Sequence, residues 1–148
     1  MMRKGIIVYS KTGNTLGVAQ RLAEKINSEV MEVKVENDDP NILVPVLTQT
    51  PDVCTYSHLV FAAPVHGFNL SKAMHTYLNQ LPDLTGKTVD LFITHFFPFA
   101  WMGGNRALRQ MKMIVEGKHA IVNQMTSINW KSKKRESDIY QMIENYSK

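Results

Sequence analysis

One stretch near the start of the chain decides the fold: residues 6–15, which read IIVYSKTGNT. Its first four residues, Ile6 to Tyr9, form a short apolar run that is typical of a strand buried on both faces of a sheet. Six polar or small residues follow, and the apolar residues beyond them, from Leu16 to Ile26, recur at helical spacing. The stretch therefore predicts a strand, a polar turn and a helix in direct succession.

The same alternation continues along the chain. Apolar runs predict strands at 59–63, 89–94 and 120–125, and helical spacing predicts helices at 70–81, 105–116 and 139–146. The run from Met31 to Val35 alternates apolar and charged residues, which predicts a half-exposed strand at a sheet edge. Between 36 and 57 three prolines, at positions 40, 45 and 51, exclude a long helix, so we expect a short or irregular crossover there.

These β-α units predict an α/β fold. Parallel neighbouring strands need crossover connections, and their helices cover both faces of the sheet. Five units suit a doubly wound five-stranded parallel sheet of order 2-1-3-4-5, whereas a barrel needs eight. We expect one domain, residues 1–148.

Composition excludes several classes of protein. With 44% hydrophobic and 20% charged residues, the chain is typical of a globular protein and not of a disordered one. Its apolar runs are shorter than the roughly 20 residues that a membrane span needs, so we expect no membrane insertion and a cytoplasmic location. The one cysteine, Cys54, excludes an internal disulfide and a thiolate-ligated iron–sulfur cluster. We expect it to be a small buried side chain.

The net charge of +4 raises the question of a polyanionic partner. The positive charges are scattered except for one cluster, Lys131, Lys133, Lys134 and Arg135. This cluster is typical of a solvated helix end, with a polyanion site as the alternative. No basic and aromatic motif accompanies it, so we expect no nucleic-acid binding.

The polar turn after the first strand is suited to a phosphate group. In a sheet of order 2-1-3-4-5, ligands bind at the carboxyl ends of strands 1 and 3. Three hydroxyls, a glycine and an amide at the start of a helix offer many donors, and the helix dipole favours an anion there. The spacing is not that of a nucleotide-triphosphate P-loop. The alternative is a plain polar turn in which Thr12 or Asn14 caps the helix.

The turn resembles the phosphate loop of the flavodoxin family, whose pattern is Ser/Thr-x-Thr-Gly-Asn-Thr. The chain matches it at Ser10, Thr12, Gly13, Asn14 and Thr15. The resemblance covers the order of elements over nearly the whole chain and implies a flavodoxin-like fold. It also implies bound FMN and one-electron transfer between redox partner proteins, a reductase and an acceptor.

Two further segments complete the expected site. Residues 64–69 follow the third strand, and residues 94–104 follow the fourth and hold four aromatics within six positions, 96–101. Exposed apolar clusters of this kind mark binding sites, and a planar ring could stack there. The alternative is that the aromatics only close the end of the sheet. The resemblance implies that these segments flank the flavin ring, although the first lacks the family's usual tryptophan and the second its tyrosine and acidic residues.

The predicted cofactor-binding residues belong to these three segments. They are Ser10, Thr12, Gly13, Asn14, Thr15, Pro64, Val65, His66, Gly67, Phe68, Thr94, His95, Phe96, Phe99, Ala100 and Trp101. Phe68, Phe99 and Trp101 are the expected stacking partners of the ring. No catalytic residue and no metal ligand is predicted.

Three properties of the flavin follow from these residues. A peptide flip at Gly67 would turn the carbonyl of His66 toward the flavin, because glycine tolerates positive φ. Residues 64–69 and 94–105 contain no Asp or Glu, which predicts a second reduction potential less negative than in acidic relatives. If His66 and His95 approach the ring, the reduction potentials would depend on pH near neutrality. A basic surface also implies a partner with an acidic face.

Two other functions share this fold class. The first is an NAD(P)H-dependent FMN or quinone reductase, which needs a second pocket that this short chain has little length to build. The second is a signalling receiver domain, which needs carboxylates where Ser10 and Pro64 stand. The carrier is expected to be a monomer or a weak dimer.

Overall fold

The computed structural model describes residues 3–97 and 103–148. Within them the chain forms eight strands and four helices. The strands are β1 (Lys4–Val8), β2 (Glu29–Glu32), β3 (Lys34–Val35), β4 (Leu47–Gln49), β5 (His58–His66), β6 (Asn69–Leu70), β7 (Thr88–His95) and β8 (Ile121–Asn129). The helices are α1 (Asn14–Ile26), α2 (Lys72–Asn79), α3 (Gly104–Gly117) and α4 (Arg135–Tyr146).

Five parallel strands form the main sheet in the order β2-β1-β5-β7-β8. This order confirms the predicted 2-1-3-4-5 arrangement. Ile7 of β1 pairs with Met31 on one side and with Phe61 on the other, so β1 lies inside the sheet and the order reverses between β1 and β5. The carboxyl ends of β1 and β5 therefore meet at the predicted ligand-binding edge.

Hydrophobic clusters cover both faces of the sheet. On one face α2 and α3 pack against strand residues such as Ile7 and Phe61. On the other face α1 and α4 pack against Ile6 and Phe92. Consecutive residues of β1 enter opposite clusters, as the pleat of a strand requires, and both faces are apolar because helices cover both.

The connection between β2 and β5 differs from the predicted β-α repeat. It lies wholly within the described residues and contains no helix. The predicted strand 31–35 is divided: β2 joins the main sheet, while β3 pairs antiparallel with β4 in a separate two-stranded sheet. Val33 lies between them, is buried, and donates its N–H to the carbonyl of Val8 at 2.9 Å. The prolines exclude the helix, as expected.

Cys54 is exposed, so the prediction of a buried side chain is wrong. It lies in a turn where its N–H donates to Oδ1 of Asp52 at 3.0 Å. The apolar neighbours that are buried in this segment are Val53 and Tyr56.

A buried polar group occupies the amino half of the sheet. Asp90 of β7 is 1% exposed, and its Oδ1 accepts the N–H of Gln124 at 3.0 Å. Its Oδ2 lies 2.7 Å from Nε2 of His58. The pairing of β7 with β8 shifts register beside Asp90, so the carboxylate satisfies an N–H that the bulge exposes. No helix of the described residues is long and apolar enough to cross a membrane.

Candidate functional site

The turn from Ser10 to Gly13 shapes the start of α1. The N–H of Gly13 donates to Oγ of Ser10 at 3.0 Å, and Gly13 occupies the N-cap position with φ of 95°. Among residues 3–97 and 103–148 no side chain caps the helix, so the alternative in which Thr12 or Asn14 caps it is wrong. The N–H groups of a first helical turn have no partner within the helix. They are therefore available to an anion, whose charge the helix dipole favours.

Two buried hydroxyls attach this turn to the sheet. Oγ1 of Thr15 lies 2.8 Å from Oγ1 of Thr94, at the carboxyl end of β7. The two residues are 1% and 4% exposed. Thr15 and Thr94 thus hold the turn on its buried side, while Thr12 is exposed on its solvent side.

A cavity of about 160 Å³ opens in front of this turn. It is lined by residues of the turn, of the carboxyl end of β5 and of the end of β7. The lining residues are Lys11, Thr12, Asn14, Pro64, Val65, His66, Thr94 and Phe96. The structure thus brings three predicted segments together at the edge where the strand order reverses.

The segment after the third strand is mainly a hairpin, where a loop was predicted. β5 continues through Pro64 and Val65 to His66, and β6 returns antiparallel with His66 opposite Asn69. Gly67 and Phe68 form the two-residue turn with φ of 57° and 65°. Positive φ at both positions is typical of a type I′ turn, which matches the twist of the two strands.

Side-chain bonds hold the hairpin tip. Nδ2 of Asn69 donates to the carbonyl of Gly67 at 3.1 Å, and Gln110 of α3 bonds both Asn69 and the N–H of Leu70. The ring of Phe68 stacks on that of Phe97, with centroids 4.4 Å apart and planes inclined by 20°. An aromatic residue with positive φ is strained, so the tip holds Phe68 in a costly conformation beside the site.

A second cavity, of about 400 Å³, adjoins the first. Val65, His66 and Phe96 line both cavities. The remaining lining residues come from the hairpin, the start of α2, the second crossover and the aromatic segment: Pro40, Asn41, Gly67, Asn69, Lys72 and Phe97. Pockets for small organic ligands usually have volumes of about 300–1,000 Å³ and mostly apolar walls.

Two lysines hold the crossover segment 38–41 against the site. Nζ of Lys11 donates to the carbonyl of Asp38 at 3.2 Å, and Nζ of Lys72 donates to the carbonyl of Pro40 at 2.9 Å. Asp38 and Asp39 bring carboxylates near one side of the cavities. The sequence prediction considered only the two flanking segments and missed these charges.

His66 lies where the cavities meet. Burial lowers its pKa below the usual value; Lys11 and Lys72 lower it further, while Asp38 opposes them. Tyr9 packs edge-on against the imidazole with ring centroids 6.4 Å apart. Burial, with a contribution from Asp38, raises the pKa of Tyr9, so Tyr9 is neutral near pH 7.

His95 lies apart from the cavities, although the sequence placed it among the site residues. It is 3% exposed, and its ring lies below the start of α3, 3.3 Å from where a Cβ on Gly104 would stand. Burial is the main cause that lowers its pKa. Thr94 faces α1 and His95 faces α3, because neighbouring residues of a strand point to opposite faces.

The predicted residues therefore differ in how they lie relative to the two cavities. Thr12, Asn14, Pro64, Val65, His66, Thr94 and Phe96 line the first cavity, Gly67 lines the second, and Ser10, Gly13, Thr15 and Phe68 shape the walls from outside. His95 lines neither. Phe99, Ala100 and Trp101 lie outside the described residues.

Six lining residues were not predicted: Lys11, Pro40, Asn41, Asn69, Lys72 and Phe97. Lys11, Asn69 and Phe97 lie inside the segments that were singled out, so the sequence held a signal for them. Pro40, Asn41 and Lys72 meet only in the folded chain. The described residues contain no group of three or more His, Cys, Asp or Glu side chains that could hold a metal ion.

A family model described as a flavodoxin domain matches residues 5–98. This match spans both the polar turn at residues 10–13 and the hairpin. The chain belongs to the flavodoxin family. Family membership supports a flavin cofactor, and the residues fit one: an uncapped helix start for an anion beside walls of proline, valine and phenylalanine.

Solved structures show the same fold at low sequence identity. A flavoprotein from Lactobacillus acidophilus in complex with FMN has a TM-score of 0.70 at 19% identity, covering 95% of this chain and 98% of that chain. A flavodoxin from Streptococcus pneumonia has a TM-score of 0.67 at 15% identity, covering 95% and 94%. An NADH:FMN oxidoreductase, in its apo form, has a TM-score of 0.66 at 15% identity, covering 99% and 89%. No curated protein matches the chain.

Proposed function

We propose that the protein binds FMN without a covalent bond and carries single electrons between redox partner proteins. The observation that carries this proposal is the uncapped start of α1, which opens into the cavity between β5 and β7. The phosphate of FMN would accept hydrogen bonds from the N–H groups of this first turn and from Thr12. Neutral donors suffice for a phosphate at a helix start.

The flavin ring would lie across the carboxyl ends of β5 and β7. Val65, His66 and Phe96 would contact it, because they line both cavities. The bound FMN supplies the redox chemistry. The hairpin tip, fixed by Asn69 and Gln110, would hold the edge of the ring in one position and limit access of water.

A titration of the flavin-free protein tests this proposal. FMN is expected to bind at least about tenfold more tightly than riboflavin, because hydrogen bonds to a charged group contribute about 1.5–3 kcal/mol. Quenching of flavin fluorescence measures both affinities. Thr12→Val should weaken FMN but not riboflavin, whereas the exposed and distant Thr55→Val should change neither. Equal affinities for the two flavins would contradict the phosphate site.

The second candidate function is an NAD(P)H-dependent FMN or quinone reductase. The cavity of about 400 Å³ favours it, because a nicotinamide or quinone needs space beside the flavin. One of the structurally similar proteins is an NADH:FMN oxidoreductase. Anaerobic mixing of the FMN-loaded protein with NADH and NADPH separates the two functions: rapid bleaching of the flavin supports the reductase, and a stable spectrum supports the carrier.

A further inference from the structure

A basic turn lies beside the mouth of the candidate flavin site. It comprises Lys131, Lys133 and Lys134, which are exposed and connect β8 to α4. The turn is fixed to the carboxyl edge of the sheet, because the N–H of Trp130 donates to the carbonyl of His95 at 2.7 Å. Its position is therefore set by the same strand ends that form the cavities.

Arg135, at the start of α4, holds this turn through contacts with Trp130. Its Nη1 donates to the carbonyl of Trp130 at 2.8 Å, and its guanidinium lies 4.6 Å from the centroid of the Trp130 ring. The guanidinium of Arg135 is thus directed at the carbonyl and the ring of Trp130. The three lysines remain directed to solvent, so the basic turn is held rigidly while its charges stay available.

No carboxylate of the described residues forms an ion pair with any of the three lysines. The nearest acidic residue along the chain, Glu136, is engaged by Arg21 at 2.9 Å. At the opposite edge of the sheet, Arg3 and Lys25 are paired with Glu29 and Glu144. Lys131, Lys133 and Lys134 therefore place three positive charges, without a carboxylate partner in the described part of the chain, next to one another beside the cavities.

Exposed aromatic rings accompany this charge. Nζ of Lys131 lies 5.8 Å from the centroid of the Phe96 ring, and Phe96 lines both cavities while remaining 49% exposed. Phe68, on the hairpin, is 46% exposed. Aromatic side chains are enriched in protein–protein interfaces. Phe96 thus joins the flavin site to the surface that a partner would contact.

We propose that Lys131, Lys133 and Lys134, together with Phe96, form the docking surface for an acidic face of a redox partner protein. This inference rests on the proposed function as an electron carrier. Charge complementarity sets the sign of the partner's face and raises the association rate. Asp38 and Asp39 lie on the crossover at another side of the site, so an acidic partner would be repelled there and attracted at the basic turn.

Electron-transfer kinetics with two haem proteins of opposite charge test this docking surface. The FMN-loaded protein is photoreduced without oxygen and mixed with ferric cytochrome b5, which is acidic, or ferric cytochrome c, which is basic. Each transfer moves one electron from the reduced flavin to the haem iron. We expect the rate with the acidic protein to fall as ionic strength rises, because salt screens attraction.

Charge-neutralised variants locate the surface. The triple variant Lys131→Gln, Lys133→Gln, Lys134→Gln should slow transfer to cytochrome b5 by about tenfold at low ionic strength. The matched control, Lys4→Gln, Lys118→Gln, Lys148→Gln, removes the same charge at the opposite edge of the sheet, from lysines that form no ion pair with the described residues, and should have a much smaller effect. Binding to immobilised cytochrome b5, measured by biolayer interferometry, gives a second readout that does not depend on turnover.

The outcomes separate this inference from the proposed function. A wild-type protein that fails to bind FMN contradicts the proposed function itself. FMN binding and electron transfer with equally slowed rates in both triple variants would contradict the docking surface. A faster rate with cytochrome c than with cytochrome b5 at low salt would do the same. In both cases the proposed function as an electron carrier would be unaffected. Binding of a labelled single-stranded oligonucleotide that the basic-turn variant abolishes would also overturn the proposal.

Discussion

The hydroxyl groups of Thr15 and Thr94 lie 2.8 Å apart and join the first turn of α1 to the carboxyl end of β7. The two residues are 79 positions apart in the chain. Their contact fixes the helix start, whose N–H groups face the cavity, relative to the strand that forms the cavity wall. A hydrogen bond between two buried hydroxyls thus aligns both halves of the candidate FMN site.

Replacing either threonine should therefore affect both stability and binding. Thr15→Val and Thr94→Val each leave one buried hydroxyl without a partner, so each should lower the free energy of unfolding by about 1–3 kcal/mol. The double variant should lose less than the sum, because the second change removes the orphaned group. Urea denaturation measures this, and FMN affinity should fall in both single variants. Thr48→Val, at an exposed position of β4, serves as the control; additive losses would contradict the coupling.

Gly67 offers a test of the hairpin tip. A Cβ at Gly67 meets no atom within 4 Å, but its φ of 57° is one that alanine adopts at a cost of about 1 kcal/mol. Gly67→Ala should therefore restrict rearrangement of the tip and lower the amount of one-electron-reduced flavin in a reductive titration. Gly86→Ala is the matched control, since Gly86 also has positive φ and open space but lies outside the site. Equal yields in the wild type and Gly67→Ala would refute the peptide flip.

Two histidines whose pKa values are lowered by burial should make stability depend on pH. His66 and His95 have pKa values lowered by burial, so the unfolded chain takes up protons before the folded chain does. Their contribution to stability is present above the ordinary histidine pKa of about 6.5 and is lost as pH falls through the lowered values. Urea denaturation at pH 7.5 and 5.5 should show this decrease. His95→Asn should reduce the difference in the free energy of unfolding between pH 7.5 and 5.5, even if it lowers stability at both.

The reduction potentials should respond mainly to His66. It lines both cavities, whereas His95 lines neither. Protonation of His66 adds a positive charge beside the flavin, so the potentials should rise as pH falls below the lowered pKa, and His66→Asn should remove that part of the dependence. Lys11, Asp38, Lys72 and Tyr9 surround the imidazole and stay unchanged in this variant. Potentials that do not differ in pH dependence between wild type and His66→Asn would exclude this role.

Replacing Asp90 should lower the stability of the protein without changing the candidate site. Asp90→Ala leaves the N–H of Gln124 and Nε2 of His58 without their buried partner. We expect the free energy of unfolding to fall by about 3 kcal/mol, as when one member of a buried pair is removed. FMN affinity should stay the same, because Asp90 lies in the amino half of β7. Asp90→Asn keeps the shape and should cost less.

The order of elements could be predicted because each strand and helix carries its own hydrophobic period. The β3–β4 pair could not, since it depends on contacts between two short segments separated by prolines. The polar turn before α1 could be singled out because its donors are contiguous in sequence. Pro40 and Lys72 escaped prediction because only the folded chain brings them together. His95 lines neither cavity, because Thr94 and His95 are neighbours in a strand and point to opposite faces of the sheet.

Gly103 lies directly against the hairpin tip. A Cβ at this position would stand 2.9 Å from Cα of Phe68 and 3.0 Å from Cγ1 of Val65. The backbone at the head of α3 therefore acts as a mechanical stop for the tip. Any side chain at position 103 would push the tip and the 14-residue helix α3 apart, so the spacing between them depends on the absence of a side chain there.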